Sequence, residues 1–215
     1  MSSLALFGGA KPWSAQDWTA SDDSVRGGHS RSYLNVSSSL ATFGGSLDIK
    51  TLGNAGFASQ RTTTDQPWDL SAYDGILLDL GKSDQKQYTF TIKDQVLPPA
   101  ANGGEQSTVS WEVEFQGPAD HSEVFVKWAD LKPTYRGREQ KDATPLDLGN
   151  IKRFHIMMRS FFGRQEGEFS LDINSISAAK AAKSMEMRDT NLDSRDDQEI
   201  PPAKRGWFDW FGARN

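Results

Sequence analysis

The sequence contains no cysteine among its 215 residues. This absence excludes disulfide bonds, thiolate nucleophiles, iron–sulfur ligation and cysteine-based zinc sites. No run of about 20 apolar residues is present, so no membrane-spanning helix is predicted. Basic residues form no block, and the net charge is −5. The chain therefore lacks the electrostatic footprint expected of a protein that binds nucleic acid or an anionic membrane.

Motifs that carry chemistry are also scarce. His29, His121 and His155 lie on separate segments, and none has a partner at a metal-ligand spacing, so no metal site is predicted. Glu112 and Glu114 share one face of a predicted strand and would lie about 7 Å apart, a separation that suits an inverting glycosidase. Alternate polar residues of a strand, however, usually form its solvated face. We expect a non-catalytic protein without a cofactor.

Apolar residues recur with a period of two along most of the chain, which predicts strands. The best example spans residues 109–115, where Val, Trp, Val and Phe alternate with Ser and Glu. Further alternating segments lie near residues 76–80, 88–92, 124–128, 154–158 and 169–173, separated by Gly- and Pro-containing turns. We predict an all-β fold, a jelly-roll β-sandwich, over residues 1–180.

Three finer expectations follow from this pattern. Residues 1–40 are rich in Ser, Gly and Asp and are interpreted as loops and short edge pieces. His155 alternates with core residues and should face the exterior of its sheet. Trp111 and Trp128 share strand faces with aliphatic residues, which places them in the core.

The composition changes near residue 177. Residues 178–187 favour a short helix, and residues 189–199 hold five acids with few apolar groups, which is typical of disorder. Near the C-terminus stand Trp207, Phe208, Trp210 and Phe211. Exposed aromatic side chains usually pack against another surface. Here that surface is the sandwich itself, a protein partner or a membrane interface. Residues 181–215 are thus predicted to be a helical or disordered tail that ends in an aromatic cluster.

Two further groups of residues are candidates for partner binding. The run Arg26, Gly27, Gly28 and His29 is either an anion cradle made of backbone N–H groups or, more simply, a tight turn. Arginines recur in two other segments predicted to be loops, which contribute Arg61, Tyr135, Arg136 and Arg138. A guanidinium binds a carboxylate in a forked geometry, and that carboxylate belongs either to the protein itself or to a partner.

The segment from Ser21 to Ser30, SDDSVRGGHS, resembles the opening signature of the complex I intermediate-associated protein family. The resemblance continues in FGGSL at 43–47, GFAS at 56–59 with Arg61, LSAYDG at 70–75, YRGR at 135–138 and GEFSLDINSI at 167–176. It spans about residues 13–180. It implies a galactose-binding-like jelly roll and a chaperone-like assembly factor for mitochondrial respiratory complex I. Its partners would then be complex I subunits or assembly intermediates.

Two other binding functions remain open at this point. A galactose-binding-like fold is shared with carbohydrate-binding modules, and a cytosolic adaptor unrelated to complex I would use the same fold. Localisation is mitochondrial by family resemblance or cytoplasmic, since the first arginine is Arg26 and no Arg-rich presequence is visible.

Overall fold

The computed structural model describes residues 3–64, 66–99, 101 and 106–181. Its thirteen strands are β1 Ser3–Gly8, β2 Trp18–Ala20, β3 Arg31–Val36, β4 Ala41–Leu47, β5 Phe57–Thr62, β6 Gly75–Ser83, β7 Gln87–Lys93, β8 Ser110–Gln116, β9 Ser122–Lys127, β10 Lys132–Tyr135, β11 Arg138–Glu139, β12 Arg153–Arg159 and β13 Gly167–Ala179. Within the described ranges, the helical segments are 3-10 turns of three or four residues. The predicted all-β jelly-roll sandwich is confirmed.

The first sheet, sheet A, has the strand order β3-β4-β13-β6-β9. Strand β13 is thirteen residues long and organises this sheet. One of its edges pairs with β4 over Gly167–Ile173 and then with β1 over Ser175–Ala179. Its other edge pairs with β6.

The second sheet, sheet B, has the order β11-β10-β8-β7-β12-β5-β2. Its neighbouring strands are antiparallel, and the register places the apolar residues of β7, β8 and β12 opposite one another. Phe154, Ile92 and Trp111 form one such row. The inner faces of the two sheets enclose the core, in which Phe43, Tyr88, Phe90 and Phe154 are fully buried.

The interpretation of residues 1–40 as loops and short edge pieces agrees with β1, β2 and β3, each of which pairs with one neighbouring strand. It did not predict the burial of Phe7, which packs against Trp13 and Trp18 with ring centroids 6.0 and 4.9 Å apart. Tryptophans spaced along a Ser- and Gly-rich segment give no period, so strand patterning could not place them. Their burial extends the core beyond the regular strands.

The predicted helix at residues 178–187 was wrong at its start. Ala178 and Ala179 are buried at the end of β13, where sheet pairing with β1 and β6 outweighs the helical propensity of alanine. Residues 182–187, the acidic stretch and the aromatic cluster lie outside the described residues.

Trp111 and Trp128 were expected in the core. They are half-buried and pack against the core rather than inside it. Within the described ranges, no helix has the length and apolarity that crossing a membrane requires.

Candidate functional site

The Gly-rich signature segment is a tight turn organised by a buried carboxylate. Asp23 is fully buried and accepts hydrogen bonds from the backbone N–H and hydroxyl of Ser30 at 3.0 and 2.6 Å and from the N–H of Phe57 at 3.0 Å. Gly27 ends the 3-10 turn in the left-handed region, with a φ of 79°. The turn interpretation is therefore the one that the geometry supports, since the acid side chains fill the loop from within.

The carboxylate of Asp22, the preceding residue, likewise accepts several hydrogen bonds from neighbouring segments. Its carboxylate accepts from the N–H and hydroxyl of Ser32 at 3.0 and 2.6 Å and from the N–H of Ser59 at 2.8 Å. The two acids thus join the start of β3 to β5, across the two sheets. Sequence analysis selected Arg26 to His29 as binding candidates. The side chains of Arg26 and His29 are exposed, on the solvent side of this connection between β3 and β5.

A second turn is attached to the same end of the sandwich. Ser160 and Gly56 exchange hydrogen bonds, the hydroxyl accepting from the Gly56 N–H at 3.2 Å and the Ser160 N–H donating to the Gly56 carbonyl at 3.0 Å. The turn at 160–166 therefore adjoins the signature segment. We call these two segments, residues 21–30 and 160–166, the signature end.

The signature end carries exposed apolar groups on a strained backbone. Phe161 and Phe162 both have positive φ, 45° and 59°, and Phe162 is 91% exposed. Positive φ in a bulky residue costs about 1–2 kcal/mol, and an exposed ring gains nothing locally. Val25 is 79% exposed on the neighbouring segment. Sequence reasoning missed Phe162, because a Phe pair beside Gly163 also fits an ordinary turn.

The polar candidates of the signature end are exposed. The Arg26 guanidinium lies 5.5 Å from the ring centroid of Phe57, in a cation–π contact. The Nδ1 atom of His29 lies 3.3 Å from the hydroxyl of Thr51. Both side chains are available to a partner at this end.

Tyr135, Arg136 and Arg138 lie elsewhere. They form the hairpin turn between β10 and β11, where Arg136 and Gly137 have φ of 52° and 76°, as in a two-residue hairpin loop. The strand directions put this hairpin at the end of sheet B opposite the signature end. The structure does not bring these predicted residues together with Arg26 and His29.

Arg61 lies on neither end. It belongs to β5 rather than to a loop, which corrects the prediction, and its register with His155 places it on the outer face of sheet B. In register it stands beside His155 on β12, which in turn stands beside Thr91 on β7 and then Glu112 on β8. Cα partners across antiparallel strands have side chains about 5 Å apart. This row crosses the outer face of sheet B.

The outer face of sheet B carries polar groups that are both buried and lacking a hydrogen bond. They are the hydroxyls of Ser59, Thr89 and Thr91, the Nε2 atom of His155 and the Nε atom of Arg159. Ser59, Thr89 and Thr91 are at most 2% exposed. Buried polar groups normally have hydrogen-bond partners, so these atoms are exceptions on this face.

His155 faces away from the core, as the alternation predicted, and it is nevertheless buried. Burial, followed by the charges of Lys93, Arg153 and Arg61, holds the pKa of His155 well below its usual value near 6.5. The imidazole is therefore neutral at physiological pH and surrounded by cations.

Glu112 and Glu114 share the outer face of β8, as the alternation predicted. Arg159 on β12 reaches across β7 and donates to both, with Nη1 to Glu112 at 3.0 Å and Nη2 to Glu114 at 2.9 Å. The two carboxylates thus belong to an ion-pair bridge over the middle of the sheet. Within the described ranges, no group of three or more acids or histidines is arranged to hold a metal ion.

Trp207, Phe208, Trp210 and Phe211 lie outside the described residues. Their role in partner binding therefore stays a prediction, as do the roles of the other candidate residues.

Comparisons with known proteins show which solved folds this architecture resembles. Over 84% of its length the chain is similar to the family 11 carbohydrate-binding module of a Clostridium thermocellum cellulosomal cellulase, with 95% of that chain covered, a TM-score of 0.56 and 17% identity. A structure of the family 11 module with a mixed-linked tetrasaccharide gives a TM-score of 0.51 at 15% identity, covering 77% of this chain and 89% of that one. These similarities establish the jelly-roll fold and nothing finer.

Sequence comparison is more specific. An uncharacterized protein of Schizosaccharomyces pombe is 44% identical over 183 residues, which covers 81% of this chain and 83% of that protein. The family model of complex I intermediate-associated protein 30 matches residues 6–173. Except for the first residues of β1 and the end of β13, both sheets and the described core fall within that match, as does the signature segment. The chain belongs to the complex I intermediate-associated protein 30 family.

Proposed function

We propose that this chain is a non-catalytic, chaperone-like binding domain that captures a protein client during the assembly of respiratory complex I or a related protein complex in mitochondria. The observation that carries the proposal is Phe162, an aromatic residue that is 91% exposed and held at positive φ. Strain of this kind persists only where the surrounding structure imposes it, and it concentrates at functional sites. Family membership supports the process, complex I assembly.

The chemistry of the signature end suits a protein client. Exposed Phe162 and Val25 supply apolar contacts, and the exposed guanidinium of Arg26 supplies a fork for a carboxylate. Asp22 and Asp23 hold the segment that carries Val25 and Arg26 through hydrogen bonds to Ser59 and Phe57, so this part of the surface is in place before it binds. A preformed surface lowers the entropic cost of capture.

The test is affinity purification of the tagged full-length chain from its native cells, in separate mitochondrial and cytosolic fractions, followed by mass spectrometry. We expect complex I subunits or assembly intermediates in the mitochondrial fraction, and their loss with a Phe162→Asn variant. Recovery of a different mitochondrial complex through the same residue would keep the client-binding role and replace the client. A chain confined to the cytosol, with partners unaffected by the variant, would favour the cytosolic adaptor instead.

Carbohydrate binding is the less supported alternative. Sugars stack on exposed aromatic rings arranged along a cleft. Of the described aromatic residues, the exposed ones are Tyr33, Tyr135 and Phe162, and these lie on three separate parts of the sandwich. Their scatter gives a glycan no continuous platform, and a glycan array would be expected to give no signal.

A further inference from the structure

A pocket of about 270 Å³ lies beside the buried ring of Phe7 on β1. The residues that line it together with Phe7 are Lys11, Asp17, Thr64, Gln66, Pro67 and Trp68. Lys11, Gln66 and Pro67 are exposed, so the pocket opens to solvent. Pockets that take drug-sized ligands usually measure about 300–1,000 Å³, so this one fits a smaller molecule. We call it the Trp68 pocket.

The aromatic wall of the Trp68 pocket is fixed in place. The rings of Phe7 and Trp68 lie edge to face, with their centroids 6.0 Å apart. Trp68 is half-buried and exchanges backbone hydrogen bonds with Ile151, its N–H donating at 2.8 Å and its carbonyl accepting at 3.0 Å. Phe7 is held by the pairing of β1 with β13. A flat apolar group can therefore pack against this wall without reorganising it, which lowers the entropic cost of binding.

The ammonium of Lys11 supplies a positive charge at this wall. After β1 the chain turns back on itself, with Gly8 and Gly9 at φ of 69° and 61° and the N–H of Lys11 donating to the carbonyl of Gly8 at 3.1 Å. This turn sets Lys11 above Phe7, with its Nζ atom 5.1 Å from the ring centroid. A Cβ atom on Gly8 would clash with the carbonyl oxygen of Asn174 in β13, so the tight turn requires glycine there.

Asp17 supplies a negative charge at the same pocket. It is half-buried and ends the 3-10 turn before β2, where its N–H donates to the carbonyl of Ser14 at 3.2 Å and its own carbonyl accepts from the N–H of Thr63 at 2.9 Å. Among the described residues, neither Asp17 nor Lys11 has an opposite charge within ion-pair distance. The two opposite charges therefore line one pocket without pairing with each other.

A cation and an anion held apart beside an aromatic wall complement a molecule that carries both charges and a flat apolar group. From this arrangement we propose that the Trp68 pocket binds a small zwitterion, an α-amino acid with an aromatic side chain. Lys11 binds its carboxylate, Asp17 binds its ammonium group, and its ring packs against Trp68. No residue that lines the pocket belongs to the signature end, so the proposal does not depend on the client-binding role.

The experiment is an NMR titration of the full-length chain labelled with ¹⁵N-tryptophan, at pH 7 and constant ionic strength. It follows the indole N–H resonance of Trp68, which a Trp68→Phe variant assigns. The probes are L-phenylalanine and two analogues that each lack one of its charges, 2-phenylethylamine and 3-phenylpropionate. We expect a saturable shift with L-phenylalanine and binding of each analogue weaker by about tenfold or more, because each loses one charge-assisted hydrogen bond. Absence of a saturable shift with L-phenylalanine, or equal affinity for all three probes, would overturn the proposal.

Two variants assign the two charges of the probe. Lys11→Gln should bind L-phenylalanine about tenfold more weakly and should bind 2-phenylethylamine, which has no carboxylate, as tightly as the wild type does. Asp17→Asn should likewise lose affinity for L-phenylalanine and keep its affinity for 3-phenylpropionate, which has no ammonium group. Lys50→Gln, at an exposed lysine beyond the end of β4, is the matched control and should leave all three affinities unchanged. If Lys11→Gln and Asp17→Asn changed the three affinities equally or not at all, the pocket would not distinguish the two charges, and the zwitterion assignment would be wrong.

Discussion

The carboxylate of Asp23 occupies the space that a side chain at Gly28 would need. A Cβ atom placed on Gly28 would lie 2.3 Å from both Cγ and Oδ1 of Asp23. Since Asp23 is fully buried and holds Ser30 and Phe57, it cannot move aside without breaking those hydrogen bonds. The glycine at position 28 is thus explained by packing, and its neighbours Arg26 and His29 remain exposed to a partner.

Gly28→Ala should therefore destabilise the fold by about 2–4 kcal/mol, combining overpacking with a strained buried carboxylate. Gly27→Asn is the matched control. Gly27 has positive φ, but no atom of the described residues lies within 4 Å of the position that its Cβ would take, and asparagine tolerates that conformation. We expect the control to cost under about 1 kcal/mol. Urea unfolding of both variants measures the difference, and equal losses would refute the packing explanation.

Phe162→Asn should increase the stability of the fold and decrease client capture. Asparagine accepts positive φ more readily than phenylalanine, so unfolding should cost about 1 kcal/mol more. If the ring contacts a client, co-purification should fall at the same time. Phe162→Tyr keeps an aromatic ring on the same backbone and should capture like the wild type. A variant that is more stable and captures fully would remove Phe162 from the binding surface.

Deletion of residues 200–215 should weaken client capture without changing the melting temperature of the sandwich. Four aromatic residues near the end of a polar segment would supply a second contact, and a tethered contact raises effective concentration. Replacing Trp207, Phe208, Trp210 and Phe211 by serine, at full length, separates the aromatic contribution from that of chain length. An unchanged list of co-purified proteins in both variants would exclude the cluster from capture.

Strand periodicity predicted three adjacent strands of sheet B, β7, β8 and β12, and the neighbouring strands β13, β6 and β9 of sheet A, because these strands alternate residues that face the core with residues that do not. It failed where burial came without alternation, as at Phe7 and Trp13, whose positions depend on pairing with a strand about 170 residues away. The pairing of Arg61 with His155 was equally invisible to local patterns. Arg61 and His155 are far apart in sequence, and only the β5–β12 register makes them neighbours.

The Arg159 bridge offers a test of how burial controls an ion pair. The side chain of Glu112 is 11% exposed and that of Glu114 is 44% exposed, although both contact the same guanidinium. Screening by water should leave the Arg159–Glu114 pair with a coupling energy below about 0.5 kcal/mol, and the Arg159–Glu112 pair with about 1–2 kcal/mol. Double-mutant cycles with Arg159→Gln, Glu112→Gln and Glu114→Gln measure both couplings by urea unfolding. Equal couplings would show that burial does not decide the strength of the bridge.

His155 should make the stability of the fold depend on pH. Its pKa is lowered in the folded chain by burial and by Lys93, Arg153 and Arg61, while in the unfolded chain it returns to about 6.5. Below that pH the unfolded chain binds more protons than the folded one, so the free energy of unfolding decreases as pH falls. The slope from this one group approaches about 1.4 kcal/mol per pH unit.

Three of the described groups around the imidazole are basic. Arg61 faces it from β5, Lys93 and Thr91 from β7 and Arg153 from its own strand, while Glu112, the acid in the same row, is bound to Arg159. His155→Gln should therefore lose less stability than the wild type between pH 7 and pH 5.5. His29→Gln, at an exposed imidazole, is the matched control for the loss of a histidine. If all three proteins lost the same stability, the buried imidazole would not be the group that titrates.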